Sequence, residues 1–148
     1  MNRLGSIVRG REVYTLDPNW TVLEAARYMV EKRIGAAAVV EDDCVVGVFS
    51  ERDLMTRVVV AGRDATQTRV SEVMTRDVVL GHPDHTYEEG MALMQKAKCR
   101  HLPIVQEGRL LGFISLRDLL QGEIEEKDEE IKFMNAYLHS VPPAVGNP

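Results

Sequence analysis

Apolar side chains at Val22, Ala25, Ala26, Met29 and Val30 recur at the spacing of one helix face. Thr21 stands just ahead of them with Glu24 three residues on, a capping-box pattern that marks the helix start. Two short apolar runs follow, at about 36–40 and 44–49. The acidic "EDD" between them predicts a β-hairpin. The same order then returns. Thr86 and Glu89 open a second helix, and runs at about 102–106 and 109–114, parted by "EG", predict a second hairpin. "EVYTL" and "DVVL" read as short β segments ahead of each helix. A further helix starts at the Ser of "GVFSERD" (47–53) and of "GFISLRD" (112–118). Each unit is therefore β-α-β-β-α, and the fold class is α+β (α/β).

The repetition is gap-free from 13 to 55. Gly47 and Gly112 stand 65 residues apart. The same offset lays Pro18 on Pro83, Thr21 on Thr86, Met29 on Met94, Val40 on Val105, Ser50 on Ser115, and Asp53 on Asp118. A fixed offset of this kind is the signature of two copies of one unit. The expected boundaries are 1–62 for the first unit and 73–122 for the second. A polar connector spans 63–72, a C-terminal helix 123–140, and a loose tail 141–148. In that helix Leu120, Ile124, Ile131, Met134 and Leu138 form a heptad-like seam with Lys127 in the missing slot. Packing on its own domain and self-association through the seam are both open.

Composition narrows the function. The chain has 148 residues, enough for one compact domain or two small ones packed together. Its 45% hydrophobic and 28% charged residues fit a globular protein rather than a disordered one. A net charge of −5 argues against general nucleic-acid binding, which needs a basic surface. No apolar run approaches the ~18 residues of a membrane span, and no secretory signal is visible. A cytoplasmic protein without a membrane partner is expected. Cys44 and Cys99 do not make a disulfide framework. No Cys or second His pair completes a zinc set around His82 and His85, so no metal site is expected.

The repeated motif has two readings. Ser at a strand–helix junction suits an N-cap, and Asp at the third helical position favours the positive end of the macrodipole. On that reading "SERD" and "SLRD" merely finish helices. The alternative starts from the strand that runs into the helix, whose free N–H groups would make an anion site. Gly47 and Gly112 would admit close backbone approach. An ionised Asp is acceptor-only and suits a pair of hydroxyl donors, such as the 2′ and 3′ hydroxyls of a ribose. Arg52 and Arg117 add positive charge, and "IGAAAV" and "CRHLPI" offer walls for a flat base.

Over about residues 7–122, the chain resembles a tandem pair of cystathionine-β-synthase (CBS) domains, a Bateman module. The motifs that carry the resemblance are "GVFSERD" and "GFISLRD", "DPNWTVLEAARYMVEKRIGA" and "HPDHTYEEGMALMQKAKCRHLPIV", and "VSEVMTRDVV" leading into the second copy. The resemblance implies a pseudo-two-fold pair with two clefts that hold adenosyl ligands such as AMP, ATP or NAD(H). It implies that Asp118, Ser115, Arg117, Arg100 and His101 form one cleft, with Tyr14, Thr15, Ile34 and Gly35 opposite. Asp53, Ser50 and Arg52 form the other, with Val79, Leu80 and Cys99 opposite. Arg100 and His101 align with Gly35 and Ala36, so the Asp118 cleft is expected to be the better nucleotide site.

No nucleophile with a base, paired catalytic carboxylates or metal ligands emerge, so no enzyme and no catalytic cofactor are expected. In this family the chemistry usually sits in an attached domain. The 26 residues after 122 are too few for one, which leaves the pair standing alone. The resemblance implies an adenine-nucleotide sensor, a homodimer, acting on an unknown effector protein. The alternative is a ligand-free dimerising scaffold.

Overall fold

The computed structural model describes residues 2–140. The tail expected at 141–148 lies outside the described residues. The first unit runs α1 (Leu4–Val8), β1 (Thr15–Leu16), α2 (Val22–Lys32), β2 (Ala36–Glu41), β3 (Cys44–Ser50) and α3 (Glu51–Asp53), which continues as a π-helical segment Leu54–Val59. The second runs α4 (Val70–Val73), α5 (Tyr87–Ala97), β4 (His101–Gln106), β5 (Arg109–Ser115) and α6 (Leu116–Ser140).

Local rules explain most of these boundaries. Thr21 accepts the Glu24 N–H at 3.1 Å and caps α2, though the Glu24 carboxylate returns no bond. Thr86 and Glu89 complete the full capping box on α5. Both helices end on a left-handed residue, Arg33 (φ 58°) and Lys98 (φ 54°). The next N–H, of Ile34 or Cys99, folds back on the carbonyl of Met29 or Met94 at 3.0 Å. The two hairpins pair in equivalent registers, and each slips its ladder at the same place, after Val39 and after Ile104.

One expected strand is absent. β1 lies parallel to β2 through Thr15↔Ala38 and Leu16↔Val39, making a three-stranded sheet. Its counterpart "DVVL" forms no strand; the residue after it, Gly81, makes a single bridge to Ile104, and the second sheet has two strands. Pro103 stands where β2 has Ala38 and has no N–H for the ladder. Gly81 also passes so close to β4 that a Cβ there would lie 2.7 Å from Leu102.

The stretch read as connector ends in a helix, and this helix and α1 interlock the two units. Leu4 and Val8 of α1 are buried in the second core with Tyr87, Met94, Leu102, Ile104, Ile114 and Leu119. Val70 and Val73 of α4, with Met74, are buried in the first core against Val22, Met29, Val39, Phe49 and Val58. The backbone contacts are reciprocal. The Leu4 and Gly5 N–H groups bond the His85 and Pro83 carbonyls at 2.8 and 2.9 Å. Those of Val70 and Ser71 bond the Trp20 and Pro18 carbonyls at 2.9 and 3.0 Å. Each unit thus lends its leader helix to the other.

This exchange also corrects the reading of the motif glycines. A Cβ on Gly112 would sit 2.4 Å from the Val8 side chain, and one on Gly47 would sit 2.7 Å from Met74 Sδ. The space they leave is filled by the leader segments, not kept open for a ligand.

Candidate functional site

Strand β3 delivers Ser50 to the start of α3, and β5 delivers Ser115 to the start of α6. Each Asp turns back on its own Ser. Asp53 Oδ2 accepts the Ser50 N–H at 3.0 Å, and Asp118 Oδ2 accepts the Ser115 N–H at 2.8 Å. The Ser hydroxyls accept the Asp N–H groups at 3.2 and 3.1 Å. The first helical N–H groups, of Glu51 and Leu116, bond the Gly35 and Arg100 carbonyls at 2.8 Å. The anion cradle of free N–H groups expected from the sequence is therefore largely used up by the fold.

The two motifs differ in what remains. Ser50 also donates its hydroxyl proton to Asp53 Oδ2 at 3.1 Å. Asp53 Oδ1 takes the Thr75 hydroxyl at 3.4 Å and faces Arg57 Nε at 3.7 Å. Arg57 in turn bonds the Val73 and Met74 carbonyls at 3.2 and 3.0 Å. Asp53 is 9% exposed. In the second motif the Ser115 hydroxyl proton and Asp118 Oδ1 have no hydrogen-bond partner among the described residues. Among the described residues Asp118 Oδ2 pairs with one cation, Arg11 Nη2 at 3.4 Å, and the Asp118 side chain is 28% exposed. The cause is in the sequence: Arg57 aligns with Gly122, which brings no charge to the second motif.

A cleft opens at each motif. The Asp118 cleft, about 630 Å³, gathers Asp118, Ser115, Arg117 and His101 with Tyr14, Ile34 and Gly35 opposite. Arg11, Arg33 and Phe113 also line it. Thr15 lines a neighbouring hollow with Val13 and Arg109 instead. The Asp53 cleft, about 690 Å³, gathers Asp53, Ser50 and Arg52 with Val79 and Cys99, and also Thr75, Asp77, Lys98, Arg100 and His101. Leu80 lines neither cleft.

Arg100 thus stands in the Asp53 cleft. The repeat alone does not require this, because the equivalent Gly35 lines both clefts and the Arg100 carbonyl accepts the Leu116 N–H at the second motif. Basic side chains are present in both clefts. Arg52, Lys98 and Arg100 are matched by Glu51, Asp53 and Asp77 in one. Arg11, Arg33 and Arg117 exceed Glu12 and Asp118 by one charge in the other. Arg33 and Lys98 were legible as a repeated cation closing each long helix; Arg11, ahead of the aligned region, carried no such signal.

His101 and Gly35 border both clefts. The His101 ring stacks on Phe113, 5.4 Å between centroids and 14° between planes. Burial holds its pKa below the ordinary histidine value, against the pull of Asp118 and Glu51. Tyr14 donates to Glu12 at 2.6 Å, packs edge-on against Tyr28, and lies under Lys32 Nζ. That carboxylate raises the Tyr14 pKa. Cys44 and Cys99 are both free thiols. Among the described residues no group of three or more His, Cys, Asp or Glu could hold a metal. No helix among them is long and apolar enough to cross a membrane.

Comparison with known proteins is consistent over both units. The CBS domain family model matches residues 5–60 and again 70–124. The CBS domain-containing protein YhcV of Bacillus subtilis is 38% identical over 116 residues, which is 78% of this chain and 82% of that protein. The mitochondrial CBS domain-containing protein CBSX3 of Arabidopsis thaliana is 29% identical over 123 residues. That alignment takes in 80% of this chain and 60% of the plant protein. A solved structure of a protein with CBS domains from Burkholderia ambifaria superposes with a TM-score of 0.78 at 36% identity. It covers 84% of this chain and 95% of its own.

Proposed function

The chain belongs to the CBS-domain family, and from that premise we propose that it is a regulatory module that holds an adenine nucleotide in its Asp118 cleft. The ligand class is AMP, ATP or NAD(H). The observation that carries this reading is the uncommitted pair of groups in the second motif. Asp118 Oδ1 is free to accept a ribose hydroxyl, and the Ser115 hydroxyl is free to donate to a phosphate. Arg11, Arg33 and Arg117 supply the counter-charge. In the Asp53 cleft the corresponding groups are spent on Thr75, Arg57 and each other, so that cleft is the weaker site.

The module acts by binding rather than by catalysis. Ligand in the cleft presses on Tyr14, Ile34 and Gly35 of one unit and on the α6 start of the other. It shifts their relative packing to the extent that it binds the two arrangements unequally. A second copy of the chain pairs with the first, and an effector protein reads the change.

A thermal-shift panel tests the ligand class. An adenosyl ligand at ~100 times its dissociation constant stabilises by ~2.7 kcal/mol. For a protein of this size that is a rise of roughly 5–10 °C. AMP, ATP or NAD(H) is expected to produce it, Asp118→Ala to abolish it, and Asp53→Ala to keep most of it. If no adenosyl compound moves the transition, the scaffold reading replaces this one.

A further inference from the structure

The family match ends at residue 124, yet α6 runs on to Ser140. From Lys127 to His139 every described side chain is exposed. The heptad seam is therefore not packed on its own domain. Ile124 and Ile131 are 55% exposed, Met134 60% and Leu138 67%. At 100° per residue these four, with Leu120, fall on one stripe about 80° wide and about 27 Å long. Lys127 occupies the slot between Ile124 and Ile131, and its stem continues the stripe. A helix that only spaced two parts of a protein would be polar all round.

The edges of the stripe are acidic. Glu123 and Glu130 flank it on one side and Asp128 on the other, and none of them forms an ion pair among the described residues. A shallow groove of about 420 Å³ beside the stripe is lined by Glu126, Glu129, Glu130, Phe133 and Met134 with Asn2. Three carboxylates over an apolar floor suit the head and stem of a Lys or Arg side chain.

A second copy fits this face poorly. In a parallel pair in register, Glu123 would meet Asp128 of the partner helix, the g-to-e′ contact that decides partner choice. In an antiparallel pair centred on residue 129 the g positions face each other and so do the e positions, so Glu130 would meet Glu130 of the second copy and Asp128 would meet its Asp128. Either way acid faces acid.

We propose that the projecting part of α6 docks an amphipathic helix of another protein, with an aliphatic stripe and Lys or Arg along both edges. The stripe supplies the apolar contact, the acidic edges select the partner, and the groove beside Phe133 takes one basic side chain.

The test uses the full chain without nucleotide, so its outcome is separate from that of the ligand panel. Two synthetic 21-residue helical peptides share Leu at the a and d positions. One carries Lys at e and g, the other Glu. Fluorescence anisotropy is expected to show binding of the Lys-edged peptide only, weakened at least tenfold between 50 and 500 mM salt. Ile131→Asp with Met134→Asp removes that binding without changing the thermal transition or the sedimentation of the protein. E123K, D128K and E130K together reverse the preference between the peptides. Equal binding of the two peptides, binding of neither, or loss of self-association in the Ile131/Met134 variant overturns the proposal. The last result would give the face to a second copy.

Discussion

Asp53 and Asp118 are the same residue in two copies, but they have different surroundings. Asp53 holds four groups at once: the Ser50 N–H, the Ser50 and Thr75 hydroxyls, and the Arg57 guanidinium. Removing it leaves these donors in a site that is 9% exposed, and unsatisfied buried donors cost about 1–3 kcal/mol. Asp118 holds one N–H and one exposed arginine, so its loss amounts to a helix cap and a surface pair, about 1 kcal/mol. Urea unfolding of the ligand-free protein should rank Asp53→Ala below Asp118→Ala, by up to about 2 kcal/mol. The reverse order would mean that Asp53 is not the anchor described. The motif showed in the sequence that an acid sits at each helix start. It did not show which acid is committed, because the deciding partners, Thr75, Arg57 and Arg11, lie outside the motif and come together only on folding. Arg100 was misplaced for a related reason. The resemblance and its place just before β4 suggested Asp118, and its carbonyl does bond the Leu116 N–H there, but the residue lines the Asp53 cleft.

At the scale of elements, hydrophobic period and capping residues were enough to locate α2, α5 and both hairpins to within a residue or two. The leader helices were not legible. Five- and four-residue helices show no period, and none so short is stable alone. What holds them is burial in the other unit's core. The tightest point of that exchange is Gly112 against Val8, where an added methyl would stand 2.4 Å from a side-chain carbon. Gly112→Ala should therefore cost about 1–3 kcal/mol by overpacking. Val8→Ala opens room at the same spot, so Gly112→Ala with Val8→Ala should lose less than the two single changes added together. Residues in contact depart from additivity in this way, and distant ones do not. A double-mutant cycle read by urea unfolding checks it. Strict additivity would mean that α1 does not rest on Gly112. Hydrogen exchange adds a location: in Gly112→Ala, protection should fall first in β4, β5 and α5, the elements α1 covers, and not in β2 and β3.

Across the whole molecule the reciprocal exchange makes one body of two units, but it leaves unlike surfaces at equivalent places. On the first unit Met55, Val59 and Val60 are 63%, 67% and 81% exposed within six residues. The equivalents on the second unit are Leu120, Ile124 and Glu125. A contiguous apolar patch of this kind marks an interaction site more often than a free surface. The Met55–Val60 patch lacks the acidic edges that bar α6 from pairing with itself. A two-fold axis beside that patch would set it against its own copy without placing acid on acid, and a closed dimer needs only such a self-complementary surface. We propose that the pairing of two copies uses this end of the molecule, which leaves the projecting part of α6 for the partner helix proposed above. Sedimentation equilibrium should show a dimer. Its thermal transition should rise with protein concentration, because association stabilises the folded chain by mass action. Val59→Asp with Val60→Asp should give a monomer whose transition no longer depends on concentration, while the nucleotide shift at the Asp118 cleft persists. If that variant remains dimeric, the pairing surface lies elsewhere, and α6 becomes the next face to test.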